Sequence, residues 1–405
     1  MTRTREIPAR RIAGRRAVLR APLVLALAAS VLLPGCSTVR GWFSSSKEDA
    51  TAPAALTDIT PSVEVSRQWS RSIGKGERRL GSRQHPAVLG ERIFAANQQG
   101  RVFALEASSG REIWRTDTET SFTGGPGAGE GVVVAGGLKG EVVAFDAETG
   151  AERWRAQTSS EVIAAPQVAS GLAVVRSNDG RIAAFDLASG QRRWVFEQAL
   201  PTLTVRGNAT PVIAGGIVFA GYDNGTVVAL DLQSGLRRWE QVVAQPEGRT
   251  DLERMADVDG ELVVADSLLY ATSFKGQTLA MAAESGAPLW NRELGSYAGL
   301  AASGTRVLAA DTAGTVWSLD RFGGEAMWRQ EALARRWLTT PAVQGNYAVV
   351  GDLDGYLHWI DLNTGNIAAR VRVQRAPIRA TPQVGPDGTL YAVTTEGELA
   401  AYRIN

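Results

Sequence analysis

The side chains that could do acid–base or metal chemistry are few in this 405-residue chain, and they do not cluster in the sequence. There are two histidines, His85 and His358, and a single cysteine, Cys36. No pair has the His-x-x-x-His or Cys-x-x-Cys spacing that is typical of zinc sites. Segment 352–355 (Asp-Leu-Asp-Gly) resembles the start of a calcium loop, but no complete set of oxygen ligands follows it. The residues therefore predict no catalytic site, no metal and no cofactor.

Many of the aspartates belong instead to a repeat that decides the fold. The unit reads Gly-x-x-x-Ala-h-Asp-x-x-Ser/Thr-Gly-x-x-x-Trp, where h is apolar, and its clearest copies are residues 140–154, 180–194 and 225–239. Weaker copies begin at Gly100, Gly276, Gly314 and Gly355, and a truncated copy begins at Gly397. Successive opening glycines are 38 to 51 residues apart, which is the length of one four-stranded propeller blade. Because the aspartate occupies the same turn in successive units, it is expected to be structural.

The repeat predicts an all-β fold, an eight-bladed β-propeller of four-stranded antiparallel blades that spans residues 63–405. Each unit reads as a strand, a tight Asp/Gly turn and a second strand that carries the tryptophan. The last unit ends without its tryptophan strand, whereas residues 63–73 hold Trp69 with no unit before it. We therefore expect this N-terminal strand to complete the last blade and close the ring, which removes the open sheet edges.

Seven tryptophans recur at the final strand of the units. Their even recurrence predicts that they pack between neighbouring blades, and argues against a cofactor or sugar platform. They are Trp69, Trp114, Trp154, Trp194, Trp239, Trp290 and Trp328.

Residues 1–35 have the pattern of a bacterial export signal. Seven arginines precede the apolar stretch 21–33, which is too short to span a bilayer comfortably. Residues 33–36 (Leu-Pro-Gly-Cys) resemble a lipobox, which implies that Cys36 is acylated. The alternative is a plain signal peptide followed by an incidental cysteine. Residues 36–62 lack periodicity and read as a flexible tether.

The charge balance of the chain excludes one class of partner. The formal net charge is +1, and residues 1–35 contribute +6 from seven arginines and one glutamate, so the remainder carries about −5. A mildly acidic domain lacks the basic surface that nucleic-acid binding requires.

The repeat is interrupted at two adjacent places, where the strands of consecutive blades are joined by the longest connectors, 198–208 and 245–259. Both connectors join the same pair of strand types, so they are expected side by side on one face of the ring. The first contains Leu203, Val205 and Arg206, and the second contains Asp257 and Asp259. Together they could form an apolar and charged patch for a protein partner. Alternatively, they are two solvated loops whose arginine and aspartates pair locally.

The units resemble the tryptophan-docking repeats of pyrroloquinoline quinone (PQQ) propellers. With the lipobox and the eight units, segments 203–207, 254–259 and 351–360 resemble the BamB family of outer-membrane β-barrel assembly lipoproteins. The resemblance covers essentially the whole mature chain. It implies a lipoprotein on the periplasmic side of the outer membrane, where it docks on the POTRA domains of the central barrel protein without catalysis.

The same resemblance assigns residue roles. It implies lipidation at Cys36, and its partner-binding positions are Leu203, Val205, Arg206, Asp257 and Asp259. Val205 replaces a leucine that is common in the family. Blade surfaces that guide unfolded outer-membrane clients would complete the implied function.

Two other classes of function stay open at this point. A PQQ-dependent dehydrogenase has the same repeats, but such enzymes are usually longer and typically use a vicinal disulfide and calcium carboxylates. The single cysteine excludes that disulfide. A propeller that binds cell-wall glycan or another envelope protein is the third possibility.

Overall fold

A computed structural model describes residues 51–74, 76, 83–201, 203, 209–250, 255–274 and 276–405. Its strands form eight four-stranded antiparallel sheets. The innermost strands of successive sheets contact one another all the way round, and that of the last sheet contacts that of the first. The predicted all-β, eight-bladed propeller is therefore confirmed. In the described ranges, no helix has both the length and the apolar character that crossing a membrane requires.

The chain enters the ring with β1 (Val65–Ser72), which belongs to the last blade. Blades 1 to 4 then follow in chain order from the inner to the outer strand. Their strands are β2 (Ala87–Leu89), β3 (Arg92–Ala96), β4 (Arg101–Glu106), β5 (Glu112–Asp117); β6 (Gly127–Gly129), β7 (Val132–Gly136), β8 (Glu141–Asp146), β9 (Glu152–Gln157); β10 (Gln167–Ala169), β11 (Leu172–Arg176), β12 (Arg181–Asp186), β13 (Arg192–Glu197); and β14 (Val212–Ala214), β15 (Ile217–Gly221), β16 (Thr226–Asp231), β17 (Arg237–Val242).

Blades 5 to 8 continue in the same way, except that only three of the four strands of blade 8 follow blade 7 in the chain. Their strands are β18 (Val263–Ala265), β19 (Leu268–Thr272), β20 (Gln277–Ala282), β21 (Pro288–Glu293); β22 (Leu300–Ser303), β23 (Arg306–Ala310), β24 (Val316–Asp320), β25 (Ala326–Gln330); β26 (Ala342–Gln344), β27 (Tyr347–Gly351), β28 (Tyr356–Asp361), β29 (Ile367–Arg372); and β30 (Gln383–Val384), β31 (Leu390–Val393), β32 (Glu398–Ile404).

Blade 8 is completed by the N-terminal strand. β1 pairs antiparallel with β32, from Val65 opposite Ile404 to Ser72 opposite Glu398. The strand order in this blade is β1-β32-β31-β30, with β1 outermost. The expectation that the N-terminal strand closes the ring is confirmed.

The repeated tryptophans join each blade to the next. Each of the seven indoles donates a hydrogen bond from Nε1 to a backbone carbonyl of the following blade, at 2.7–3.1 Å. Trp154 in β9, for example, donates to the Leu187 carbonyl of blade 3 at 2.8 Å. Gly190 has φ 71°, and a Cβ built there would lie 2.7 Å from the Trp154 ring. The second glycine of the unit is therefore required both by the turn and by the indole against it.

The strand directions give the ring two distinct faces. Because the strands of a blade alternate in direction, every connector from an outer strand to the next inner strand lies on one face, together with the turn between the second and third strands. We call this the connector face. The opposite face carries the Asp/Gly turns between the third and fourth strands, and we call it the turn face.

Residues 51–62 lie along the outside of the ring and are not a free tether. The Ala54 amide donates to the Ala334 carbonyl at 3.0 Å, and the Ser62 amide donates to the Ala368 carbonyl in β29 at 2.9 Å. Backbone hydrogen bonds thus hold this part of the expected tether against blade 7 and the connector that leads into it. Residues 1–50, with the predicted signal peptide and Cys36, lie outside the described residues.

A buried polar network holds that N-terminal segment. Arg336 donates to the Ala54 carbonyl at 2.9 Å and to the Asp352 carboxylate at 2.8 Å. His358 lies 2.9 Å from the same carboxylate through Nε2, and Arg370 donates to His358 Nδ1 at 3.2 Å. Asp352, at the start of the segment that resembled a calcium loop, thus has an arginine and a histidine as its partners.

Candidate partner-binding site

The two longest connectors are consecutive, and the strands that they join end on the connector face. Connector 198–208 joins blade 3 to blade 4, and connector 245–259 joins blade 4 to blade 5. Leu203 is 45% exposed. Val205 and Arg206 lie outside the described residues.

Asp257 and Asp259 do not lie on the exposed patch that the sequence suggested. They are 0% and 5% exposed. Between them, Val258 is buried in an apolar cluster of blades 4 and 5, and its amide donates to the Tyr222 carbonyl at 3.1 Å. The Asp257 carbonyl accepts from the Phe274 amide at 2.8 Å. The backbone at Val258 is thus held against blades 4 and 5. The carboxylates of Asp257 and Asp259, on either side of it, are buried as a result.

The buried aspartates meet two side chains that the sequence analysis did not single out. The carboxylates of Asp223, Asp257 and Asp259 lie within 4.8 Å of one another. Arg176, at the end of β11, reaches Asp223 with Nη2 at 3.6 Å and lies with Cζ 5.0 Å from the centre of the Tyr222 ring. Blades 3, 4 and 5 therefore contribute to one buried charged group, which we call the acidic cluster.

The acidic cluster brings three carboxyl groups close to the Arg176 guanidinium. Burial, followed by the nearby Asp223 carboxylate, raises the pKa of Asp259 well above its ordinary value. Within the described part of the chain, neither carboxylate oxygen of Asp259 accepts a hydrogen bond. The spacing of the three carboxylates could hold a cation, and the Arg176 guanidinium already supplies one positive group at its side. Chemically, the arrangement attracts a cationic group and has no nucleophile.

A departure from the repeat could have revealed Arg176. It is the last residue of the second strand of its blade, and the other seven blades have a small or uncharged residue there. These are Ala96, Gly136, Gly221, Thr272, Ala310, Gly351 and Val393. A charged side chain at a position that is buried in every blade indicates a local electrostatic partner.

The central axis of the ring is crossed by side chains. Thr381 at the start of blade 8 donates to the Glu261 carboxylate in blade 5 at 2.8 Å. Arg83, in the connector to blade 1, donates to the Ala298 carbonyl of blade 6 at 2.9 Å. These bonds join parts of the ring that are not neighbours.

Comparison with known proteins identifies the family of this chain. A family model described as outer membrane protein assembly factor BamB matches residues 64–124, 98–330 and 313–405. An outer membrane protein assembly factor BamB of Xanthomonas campestris pv. campestris is 48% identical over 385 residues, which cover 92% of this chain and 95% of that protein. The chain belongs to the BamB family.

The solved structures agree with the family and extend the fold beyond it. The crystal structure of BamB from Moraxella catarrhalis superposes with a TM-score of 0.77 at 28% identity, and the match covers 84% of this chain and all of that one. A quinohemoprotein alcohol dehydrogenase from Comamonas testosteroni matches with a TM-score of 0.68 but only 14% identity. That second likeness shows the propeller fold alone. As a BamB-family member, the chain is an assembly factor and not an enzyme, so the dehydrogenase alternative is set aside.

Proposed function

We propose that the chain is a non-catalytic scaffold subunit of the outer-membrane β-barrel assembly machinery. It docks on the periplasmic POTRA domains of the central barrel protein through Leu203, Val205, Arg206, Asp257 and Asp259. The observation that carries this proposal is the BamB family match over residues 64–405, together with two consecutive long connectors, the first of which exposes Leu203. Burying three carboxylates together is costly, which favours a role for this cluster other than stabilising the ring.

The geometry suggests how docking would work. Leu203 supplies an apolar contact at the surface. The carboxyl groups of Asp223, Asp257 and Asp259 make the neighbouring site acidic, which favours a basic side chain of the partner. The binding energy would then be concentrated at one apolar and one charged position, as is usual for protein interfaces.

We also propose that the protein is anchored in the outer membrane by acylated Cys36 and faces the periplasm, after removal of signal residues 1–35. The lipobox supports this, as does the family of outer membrane protein assembly factors. The first described residues meet the ring at Ala334, in a connector between blades 6 and 7. Blade surfaces would then be available to unfolded client proteins.

The docking proposal is tested by co-purification from detergent-solubilised outer membrane. We expect Leu203→Asp and Arg206→Glu to lose the central barrel protein, because each disturbs one half of the proposed contact. Leu236→Asp is the matched control, since Leu236 is an exposed leucine on the turn face. If wild type and Leu236→Asp bring down the barrel protein but the other two variants do not, the docking site is supported. Equal recovery by all four proteins contradicts it.

The same preparation tests the anchor. Cys36→Ser should leave the fold intact and move the protein from the membrane to the soluble fraction, whereas retention in the membrane contradicts acylation.

If wild type recovers no barrel protein at all, the assembly role fails. The alternative of a glycan- or envelope-protein-binding propeller then moves ahead, and a peptidoglycan pull-down would test it.

A further inference from the structure

A second feature of the connector face lies in blades 6 to 8, away from the acidic cluster. It is a cleft of about 420 Å³ between the connectors that lead into blades 6, 7, 8 and 1. Tyr297, Trp337, Leu338 and Ile378 give it apolar and aromatic walls. None of these residues belongs to the docking site proposed above. The volume is within the range of sites that accept a small ligand or a few side chains.

Trp337 is exposed in a way that the fold does not explain. It is 70% exposed and has φ 53°, a left-handed backbone conformation that a bulky residue rarely adopts. Its ring centre lies 6.1 Å from that of Tyr297. All seven repeat tryptophans are at least partly buried and pack between blades. Trp337 does not belong to any of these apolar clusters. Backbone strain that presents an apolar side chain to solvent is characteristic of recognition sites.

The turn that presents Trp337 is held rigidly. The Arg335 amide donates to the Ala313 carbonyl at 2.7 Å, and the Arg336 carbonyl accepts from the Leu353 amide at 3.0 Å. Arg336 also donates to the buried Asp352 carboxylate at 2.8 Å. A tryptophan fixed in this way loses little conformational entropy on binding, which favours affinity.

The polar groups around the cleft define the charge of its ligand. Arg83 and Arg379 line it, and no carboxylate does so among the described residues. The Arg83 guanidinium donates hydrogen bonds to the Tyr297 and Ala298 carbonyls. Arg379, by contrast, is exposed to solvent. Burial raises the pKa of Tyr297 to about 12, so its phenol stays protonated and can donate a hydrogen bond at neutral pH. The donors and positive charge fit a carboxylate next to an apolar group.

We propose that this cleft binds an extended segment of a partner protein that places one aromatic side chain beside Trp337 and an acidic side chain at Arg379. Tryptophan, tyrosine and arginine are the residues that most often dominate the energy of protein interfaces, and all three meet here. The site is separate from the docking site around Leu203, so the two can be tested independently.

The test uses the full-length mature protein and a short labelled peptide with blocked ends, in which one phenylalanine is flanked by glutamates in a glycine-serine background. Fluorescence anisotropy measures its binding. We expect saturable binding that weakens at least about tenfold in Trp337→Ala and in Arg379→Glu. Phe322→Ala and Arg375→Glu are matched controls, since Phe322 is an exposed aromatic residue on the turn face and Arg375 is exposed but does not line the cleft. Both should bind as wild type does.

Two further peptides and a lipid probe make the outcome decisive. Replacing the glutamates by lysines, or the phenylalanine by serine, should abolish binding. Equal binding of the lysine peptide, or no binding of the acidic peptide up to millimolar concentration, overturns the proposal. Vesicles of phosphatidylcholine and phosphatidylglycerol test a membrane-binding role, and Trp337-dependent vesicle binding without peptide binding also overturns it. Leu203→Asp should keep peptide binding, which separates this result from failure of the docking site.

Discussion

The turn face and the connector face use aspartate in opposite ways. On the turn face, Asp231 accepts hydrogen bonds from the Ser234 side chain and from Arg238, and these bonds lower its pKa to about 2. On the connector face, burial raises the pKa of Asp259, which accepts no hydrogen bond among the described residues. The repeat supplies partners for the first residue and none for the second. The comparison indicates that regular positions stabilise the ring, whereas an irregular position can hold a carboxyl group whose ionisation burial disfavours.

The largest effect should follow from removing an inter-blade tryptophan. Trp154→Ala should lower the free energy of unfolding by about 3–5 kcal/mol, because it leaves a cavity between blades 2 and 3 and removes the hydrogen bond to Leu187. Urea denaturation measures the loss. The folded variant should still bind its partner, since Trp154 is remote from the connector face. Unchanged stability would show that the tryptophans do not hold the blades together.

A smaller loss should follow from Gly190→Ala, whose Cβ would meet the Trp154 ring. Gly171→Ala is the control, because Gly171 has φ 74° but no atom within 4 Å of the added Cβ. The control should lose about 1–2 kcal/mol from backbone conformation alone, and Gly190→Ala a further ~1–3 kcal/mol from overpacking. In a Trp154→Ala background this further loss should disappear. If it persists, the indole is not what requires the glycine.

The smallest effect should have the opposite sign. Asp259→Asn should stabilise the protein by about 1 kcal/mol at neutral pH while it weakens docking, because burial disfavours the ionised carboxylate and the amide has no such form. A carboxyl with a raised pKa binds its proton more tightly in the folded chain. Wild-type stability therefore falls as pH rises from about 4 towards that raised pKa, and the variant should lack this fall.

Denaturation at several pH values checks the sign. Wild type and Asp259→Asn should converge below about pH 3, where Asp259 is protonated in both the folded and the unfolded state. Asp231→Asn is the matched control on the turn face. Since the pKa of Asp231 is lowered, its contribution to stability is present above the ordinary carboxyl pKa and is lost as pH falls. A constant difference between wild type and Asp259→Asn at every pH would contradict the proposed charge state.

The repeat was sufficient to predict the architecture. The periodic glycines and tryptophans report on local strands and turns, so the eight blades, the inter-blade indoles and the closure by β1 could all be read from the sequence. The arrangement of Asp257 and Asp259 could not. Their burial depends on Val258 and on contacts with Tyr222 in another blade, and no local pattern records those contacts.

Single departures from the repeat were the signals that the sequence analysis missed. Arg176 occupies a position that is uncharged in every other blade. Its contact with Asp223, however, joins residues that are 47 positions apart in the chain, so no local pattern predicts it. Trp337 lies outside the repeat unit, and only the structure shows that it faces Tyr297 in a cleft. In a repeat protein, aligning the units with one another and inspecting their exceptions is therefore the more informative procedure.

The closure of the ring also determines the order in which the strands can pair during folding. Ser66 in β1 donates a hydrogen bond to Asn405 at 3.0 Å, across 339 residues of chain. At about 5–20 residues per second, β1 waits roughly 20–70 s for its partner strand to be synthesised. Until then blade 8 cannot form, and the edges on both sides of the gap stay unpaired. The first strand of the propeller to be made is thus the last to be paired, and the ring can close only after the final residues of the chain exist.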